Sequence, residues 1–228
     1  MSIGAVILAG GVGRRMGKSA PKQFLLLGGK PLIIHVAEAI GGIDAIGEIV
    51  VTCPAEYVDE TTALLRNHGF DRRLRCVAGG ASRQESVRKG LEALSSCDTV
   101  IIHEAVRPLV SRAEFEALIA DPSRNAFYGI AIPFTVLRGR GKVEGILDRD
   151  ELVNVQLPQK FDYAALVRAH DDAAAAGESY TEDASLFFAR GGGEVKILPG
   201  SERNLKITHP SDLITAEALY ADWRGGGG

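Results

Sequence analysis

Short apolar runs rich in β-branched residues alternate along the chain with segments whose apolar residues recur at helical spacing. The run Ile3–Leu8 ends in glycines and predicts a buried strand. Further strands are predicted at residues 48–52, Leu74–Ala78, 99–103, 128–132 and 195–198. Helices are predicted at residues 31–40, 57–68, 82–94, from Ser111 onwards, 162–176, near Ala184 and 211–223. Strands separated by helices predict right-handed crossovers and therefore an α/β fold with a doubly wound, mostly parallel sheet.

Two of the predicted helices begin with a capping pattern. Ser82 is followed three residues later by Glu85, and Ser111 by Glu114. In such a capping box the serine hydroxyl accepts a backbone N–H from the first turn, and the glutamate accepts the N–H of the serine. The acidic pair at residues 182–183 is predicted to cap a later helix rather than to take part in catalysis.

Residues 134–150 break the alternation, because this stretch is short, charged and interrupted by glycines. It predicts either a protruding β-arm that turns at residues 139–141 or a plain surface hairpin. The chain of 228 residues has the size of one large domain, predicted over residues 1–224. The glycines at residues 225–228 are predicted to form a flexible tail.

Composition and charge reduce the number of function classes that the sequence allows. The net charge of −3 provides no basic field to attract nucleic acid or an anionic membrane, so neither is an expected partner. No apolar stretch approaches the ~20 residues that span a bilayer, and a cytoplasmic protein is predicted. Cys53, Cys76 and Cys97 lack metal-ligand spacing, so free thiols in a reducing compartment are expected and no protein-held metal is predicted.

The first candidate site is the loop after the first predicted strand. Ligands of doubly wound sheets bind beyond the carboxyl ends of the strands, where this loop lies. Its glycines allow backbone N–H groups to surround phosphate oxygens, and Arg15 and Lys22 can neutralise charge that grows during phosphoryl chemistry. The spacing matches neither the dinucleotide-binding motif nor the P-loop. The alternative is a tight turn with surface cations.

Three later segments add polar groups at the same edge of the predicted sheet. The segment with Gly80 and Ser86 suits a second ligand contact, or else an ordinary capped helix start. Glu104 and Arg107 suit ribose or metal contacts, or else a local ion pair, whereas the neighbouring histidine is interpreted as a core residue. Lys206 lies between apolar neighbours and is predicted to point into a cleft, the alternative being a solvated lysine.

Together these motifs resemble those of the cytidylyltransferases that make CDP-alcohols, namely the 2-C-methyl-D-erythritol 4-phosphate enzymes and their ribitol 5-phosphate relatives. The resemblance runs from about Ala5 to Ala221. It is carried by the glycine-rich loop with Arg15-Met16 and Pro21-Lys22-Gln23, by residues 103–108, by Leu157-Pro158-Gln159 and by residues 204–208. The resemblance implies a Rossmann-like fold, CTP and a small phosphorylated alcohol as substrates, Mg²⁺ held mainly by the CTP phosphates, and release of pyrophosphate.

The resemblance also implies roles for individual residues. Arg15 and Lys22 would stabilise the transition state at the α-phosphate, and Arg149 and Lys206 would position the acceptor phosphate. The implied nucleotide site consists of Ala9, Gly10, Gly11, Gly13, Gly80, Ala81, Arg83, Ser86, Glu104 and Arg107. Thr135 is an implied acceptor contact. Members of the family are homodimers that exchange β-arms, so Arg149 would serve the neighbouring subunit's site.

Departures from the family pattern concern the acceptor. Glu104 stands where the family usually has Asp, and one extra methylene moves the carboxylate by roughly a bond length. Phe134-Thr135 replaces the Asp-Thr that usually begins the arm, and the arm is a few residues short. Residues 8–11 look more like the ribitol phosphate enzymes. The leading hypothesis is a methylerythritol phosphate enzyme, with a ribitol phosphate enzyme or a non-catalytic nucleotide-binding protein as alternatives.

Overall fold

A seven-stranded sheet forms the centre of the computed structural model, which describes residues 2–11, 21–70, 73–95 and 97–225. The strands are β1 (Ile3–Leu8), β2 (Leu26–Leu27), β3 (Lys30–Pro31), β4 (Ile46–Cys53), β5 (Leu74–Ala78), β6 (Thr99–Glu104), β7 (Ala126–Ala131), β8 (Val136–Arg138), β9 (Gly145–Leu147), β10 (Val153–Asp162) and β11 (Lys196–Pro199). The helices are α1 (Leu32–Gly41), α2 (Val58–Asn67), α3 (Arg83–Ala93), α4 (Arg112–Ala120), α5 (Tyr163–Ala175), α6 (Asp183–Ala189) and α7 (Pro210–Gly225).

The order of strands in the main sheet confirms the predicted fold class. The order is β5-β4-β1-β6-β10-β7-β11, and each neighbouring pair is parallel except for the two pairs that involve β10. The chain winds outward from β1 through β4 and β5, and then returns to place β6 on the other side of β1. The carboxyl ends of β1 and β6 therefore lie side by side at the switch point, with Leu8 opposite Glu104.

Helices cover both faces of the sheet because its strands are apolar on both sides. In β1, Ile7 packs on the face covered by α1, α2 and α4, whereas Val6 packs on the face covered by α3, α5 and α6. Gly90 lets α3 approach the sheet closely, since a Cβ at this position would lie 2.4 Å from Cγ1 of Val6. This approach sets the position of the loop that precedes α3.

The segment that precedes the final helix lies at the carboxyl edge of the sheet. Helix α7 packs against β2 through a small cluster that includes Leu27, Ile207 and Ala216. The backbone N–H of Ile207 donates to the carbonyl oxygen of Val106 at 2.9 Å. This bond fastens the segment before α7 beside the loop that follows β6, and so places Lys206 at the edge of the sheet.

Strand β10 is the main element that the sequence pattern did not predict. It lies between β6 and β7, antiparallel to both. Its buried polar residues Gln156, Gln159 and Lys160 and its internal proline obscure the apolar pattern that is typical of a central strand. The other predicted strands and helices are present, with ends that differ by a few residues at most.

The capping predictions have mixed outcomes. Ser111 and Glu114 form a complete capping box at α4. At α3, the Ser82 hydroxyl accepts the N–H of Glu85 as predicted, but the Glu85 carboxylate accepts the N–H of Ala81 instead of that of Ser82. The prediction that residues 182–183 cap a helix is wrong for their side chains, because the Glu182 side chain makes no capping bond at α6 and Asp183 pairs with other side chains.

The stretch between β7 and β10 contains a separate two-stranded antiparallel hairpin made of β8 and β9. Gly141, with φ of +77°, lies in its turn, where a left-handed backbone favours glycine. Helix α7 runs to Gly225, and the remainder of the predicted tail lies outside the described residues. Within the described part of the chain, no helix is both long and apolar enough to cross a membrane.

Candidate active site

A cavity of about 290 Å³ opens at the carboxyl ends of β1 and β6. The predicted site residues that line it are Gly10, Gly11, Lys22, Gly80, Ala81, Arg83, Ser86, Glu104 and Lys206. They come from four segments that are far apart in the sequence, and the fold brings them together. Ala9 is not part of the lining, since it is buried and its N–H donates to the carbonyl oxygen of Thr52.

The loop between β5 and α3 forms one wall of the cavity and is built around Ser86. The Ser86 hydroxyl accepts the N–H of Gly80 at 3.0 Å and donates to the carbonyl oxygen of Ser82 at 2.8 Å. A Cβ at Gly10, on the opposite loop, would lie 4.0 Å from the Ser86 oxygen. The two glycine-containing loops therefore approach each other around Ser86, which fixes the shape of this wall.

Lys22 lies where the first loop meets the segment before α7. Its Nζ donates to the carbonyl oxygen of Thr208 at 2.8 Å and to that of Ile207 at 3.4 Å, and the side chain is buried. Its backbone N–H donates to the carbonyl oxygen of Gly11 at 3.0 Å. These bonds hold an ammonium group against the wall of the cavity, within a region otherwise rich in backbone groups.

Glu104 is the centre of the charge in the cavity. Its Oε1 lies 2.8 Å from Nζ of Lys206 and 3.3 Å from Nε of Arg83, and its Oε2 lies 3.3 Å from Nε of Arg107. Burial alone would raise the pKa of this carboxyl, but Lys206, Arg83 and Arg107 outweigh that effect and lower the pKa to about 2. Glu104 is therefore ionised at neutral pH and pairs with three cations, of which Lys206 and Arg83 line the cavity.

Arg107 contacts Glu104 but is not part of the cavity lining. Its Nη1 donates to the backbone oxygen of Asn204 at 2.9 Å. The carbonyl oxygen of Arg107 lies 3.1 Å from Nε2 of His103, a fully buried ring whose pKa burial lowers to about 4. His103 also stacks edge-on against Phe115, so the interpretation of this histidine as a core residue agrees with its surroundings.

An acidic cluster behind the cavity was not assigned to the site from the sequence. Nη1 of Arg83 lies 2.8 Å from Asp183, and its Nη2 lies 3.0 Å from Glu182. Gln159 donates to Glu182 at 3.0 Å and accepts the N–H of Ala184 at 3.0 Å. The motif at residues 157–159 and the acidic pair at residues 182–183 were both visible in the sequence. Only the fold shows that Gln159 contacts Glu182 and that the acidic pair contacts Arg83.

Arg149 and Thr135 lie away from this cavity. Arg149 follows the hairpin, where its exposed side chain donates to the carbonyl oxygen of Pro133 at 3.0 Å. Thr135 is exposed just before β8. Neither residue lines the cavity of its own chain. Arg15 and Gly13 lie outside the described residues, so the roles implied for them stay predictions.

The cavity side chains that the structure describes do not form a cage for a metal ion. Among the residues that the structure describes, no group of three or more His, Cys, Asp or Glu side chains is placed to bind a metal. Glu104 is the carboxylate that lines the cavity in the described part of the chain, and cations occupy both of its oxygens. A divalent cation at this site would therefore depend on ligands that a substrate supplies.

The chain matches the family model described as 2-C-methyl-D-erythritol 4-phosphate cytidylyltransferase over residues 3–222. It is similar to proteins of that name from Desulforamulus reducens, with 36% identity over 96% of this chain and 95% of the relative, and from Geobacillus thermodenitrificans, with 37% identity over 97% and 98%. Among solved structures, it is similar to the enzyme of that name from Thermus thermophilus, with 31% identity and a TM-score of 0.77 over 97% of this chain and 100% of that chain. It is also similar to the 4-diphosphocytidyl-2C-methyl-D-erythritol synthase from Anaerococcus prevotii, with 26% identity and a TM-score of 0.84 over 96% of both chains.

Proposed function

Since this chain belongs to the 2-C-methyl-D-erythritol 4-phosphate cytidylyltransferase family, we propose that it transfers the cytidylyl group of CTP to 2-C-methyl-D-erythritol 4-phosphate in isoprenoid precursor synthesis. The observation that carries the proposal is the convergence of Lys22, Lys206 and the two glycine-containing loops on one cavity. The names of the relatives do not favour ribitol 5-phosphate as the acceptor, and an enzyme family does not favour a non-catalytic role.

The reaction is an in-line displacement at the α-phosphorus of CTP. An oxygen of the acceptor phosphate forms a new bond to this phosphorus, and the bond from the phosphorus to the bridging oxygen of the β-phosphate breaks. The electron pair of that bond leaves with pyrophosphate. Such transfers depend mainly on positioning and on neutralisation of charge, with little covalent work by the protein.

The nucleotide half of the cavity suits this chemistry. The main chain at Gly10, Gly11 and Gly80 lines the cavity without side chains, which allows the phosphates to approach it closely. Lys22 stabilises the negative charge that develops on the phosphates, and the carbonyl oxygens of residues 207 and 208 hold its ammonium group in place before the substrate arrives. Arg15 shares this role.

The acceptor half of the cavity is organised by Glu104. Its carboxylate holds Lys206 at 2.8 Å, and this ammonium group attracts the acceptor phosphate. Arg149 contributes a second cation from the partner subunit of a homodimer, which accounts for its place outside the cavity of its own chain.

Mg²⁺ is proposed to bind together with CTP. The carboxylate of the cavity is already paired with cations, which does not suit a protein-held ion, so phosphate oxygens of CTP would hold the metal. When bound there, the ion neutralises part of the phosphate charge.

A cytoplasmic location is also proposed. It is supported by Cys53, Cys76 and Cys97, which are free thiols, as a reducing compartment favours.

The assay that tests the proposed function measures release of pyrophosphate from CTP with Mg²⁺. Methylerythritol phosphate and D-ribitol 5-phosphate are offered in parallel, and UTP or ATP replaces CTP in control reactions. We expect turnover with CTP and methylerythritol phosphate. Turnover with ribitol 5-phosphate alone would show that this compound is the acceptor. Absence of pyrophosphate release with either acceptor would contradict the proposed function.

The proposed homodimer gives a prediction about the hairpin. Its exposed apolar side chains include Phe134 at 75% and Ile146 at 79%, an arrangement that favours burial against a second copy of the chain. We expect a dimer at micromolar concentration in sedimentation equilibrium. Changing Phe134→Asp and Ile146→Asp together should give a monomer with little activity, because Arg149 no longer reaches the partner's cavity.

The matched control for this prediction is Phe188→Asp. Phe188 is also 75% exposed, but it lies on α6, away from the hairpin. We expect this variant to remain a dimer with normal turnover. A wild-type chain that sediments as a monomer at micromolar concentration would contradict the exchange of arms.

A further inference from the structure

A row of alternating charges leads from the buried start of α6 to the cavity. Oδ2 of Asp183 lies 2.8 Å from Nη1 of Arg83, and Nε of Arg83 lies 3.3 Å from Oε1 of Glu104. The same Glu104 oxygen accepts a hydrogen bond from Nζ of Lys206 at 2.8 Å. Each side chain of the row contacts the next, and the row ends on the ammonium group proposed to bind the acceptor phosphate.

The inner end of the row is anchored by two neighbouring elements. Asp183 is 1% exposed, and its Oδ1 lies 3.1 Å from Nε2 of His170 on α5, whose side chain is equally buried. Gln159 of β10 accepts the N–H of Ala184, the next residue along the chain, and so fixes the first turn of α6. Lys206, at the outer end, is 40% exposed. The row thus connects a fixed carboxylate to an accessible cation.

Helix capping does not account for Asp183. Both of its carboxylate oxygens face side chains, those of Arg83 and His170, rather than the backbone of α6. The pairing does fix geometry, because the guanidinium group is planar and one anchored nitrogen determines where the others lie.

We infer that Asp183 is a positioning residue for the transfer reaction, because through Arg83 it fixes the Glu104 carboxylate and through Glu104 the Lys206 ammonium group. The inference rests on the proposed function. Glu182 contacts the same guanidinium group at 3.0 Å, so without Asp183 the group would turn toward Glu182 and away from Glu104. Small displacements of this kind lower turnover, because reacting groups must be held within about 0.5 Å.

The pKa of Glu104, followed by the NMR chemical shift of its carboxyl carbon, distinguishes a positioning role of Asp183 from a general loss of structure. Glu104 is faced by Arg83 from α3, by Lys206 from the segment before α7, by Arg107 from its own loop and by Glu182 from α6. When Arg83 moves away, one of the cations that lower the pKa of Glu104 is lost, and that pKa rises. Glu104 then becomes protonated, and releases Lys206, at a higher pH than in the wild-type chain.

The variant that tests the inference is Asp183→Asn, which removes the charge and keeps the shape. We expect kcat/KM for the acceptor to fall about tenfold or more and the pKa of Glu104 to rise, with KM for CTP changed less than about twofold. The matched control is Asp121→Asn, because Asp121 pairs with Lys196 at 2.8 Å outside the cavity. The control should leave kcat/KM and the pKa of Glu104 unchanged.

A double-mutant cycle with Glu104→Gln tests whether Asp183 acts through Glu104. If it does, Asp183→Asn lowers kcat/KM much less in the Glu104→Gln background than in the wild-type chain. Additive losses, or an unchanged pKa of Glu104 in folded Asp183→Asn, would overturn the inference.

Two further measurements keep the inference open to refutation. Should thermal melting show that Asp183→Asn does not fold, His170→Gln takes its place, because it keeps the Asp183 carboxylate and removes one of its anchors. A pKa of Glu104 that rises in this variant supports the inference, and an unchanged pKa overturns it. Wild-type turnover is measured first, since its absence contradicts the proposed function, whereas normal turnover in Asp183→Asn contradicts only the role of Asp183.

Discussion

Lys22→Ala is expected to lower kcat by about 10²- to 10³-fold, the size of effect seen when one preorganised donor to a developing negative charge is removed. The Lys22 ammonium group is held at 2.8 Å by the carbonyl oxygen of Thr208, so it does not have to be ordered during the reaction. Its charge stabilises the phosphates more strongly as the bond to pyrophosphate breaks. The loss should therefore appear in kcat, with KM for CTP changed only a few-fold.

The measurement is steady-state release of pyrophosphate, together with thermal melting to verify the fold. Lys30→Ala is the matched control, because Lys30 also forms an ion pair, 2.6 Å from Glu38, but lies outside the cavity. We expect the control to keep its turnover. If folded Lys22→Ala turns over as fast as the wild-type chain, Lys22 does not stabilise the transition state and the proposed nucleotide half of the site is wrong.

The parallel strands could be predicted from the sequence because their signal is local. β1 and β5 have the predicted bounds, since each is an uninterrupted apolar or half-apolar run that ends in glycines. The same bounds located two of the candidate loops, because ligands of such sheets bind where the strands end. Gly10, Gly11, Gly80 and their neighbours do line one cavity.

Strand β10 could not be predicted because its polar residues are satisfied by distant partners. Gln156 donates to the carbonyl oxygen of Ser201 at 2.8 Å, and Lys160 donates to that of Asp121 at 2.7 Å. A polar residue with such a partner can be buried at little cost, although its sequence neighbours suggest exposure. The pattern along the chain carries no record of these partners, which only the tertiary structure supplies.

The candidate site shows the same limit. Glycines and cations at strand ends predict a phosphate site from the local sequence. Asp183 and Arg83, in contrast, meet only after α3 and α6 pack on the same face of the sheet. Local reasoning therefore assigned Asp183 to a helix cap. The residues that line the cavity were easier to predict than those that hold them, because positioning depends on pairs that are remote in sequence.

Glu104→Gln is expected to have the second large effect, on stability as well as on turnover. The folded chain lowers the pKa of this carboxyl from its ordinary value of 4.5 to about 2, which corresponds to roughly 3 kcal/mol of stabilisation. Because the folded pKa lies below the unfolded one, this contribution is complete above about pH 4.5 and is lost as the pH falls towards 2. The glutamine variant lacks it at every pH and leaves Lys206, Arg83 and Arg107 without their shared anion.

Urea unfolding of the wild-type chain and of Glu104→Gln should therefore give free energies of unfolding that differ by about 3 kcal/mol at pH 7 and converge as the pH falls below 4.5. Carboxyls elsewhere in the chain affect both proteins alike, so the difference isolates Glu104. Glu92→Gln is the control, because Glu92 pairs with Arg88 on the surface and such pairs contribute about 0.5 kcal/mol. A gap between the wild-type chain and Glu104→Gln that stays constant from pH 7 to pH 3 would show that Glu104 is not held ionised by its three cations, and the proposed anchoring of Lys206 would fail with it.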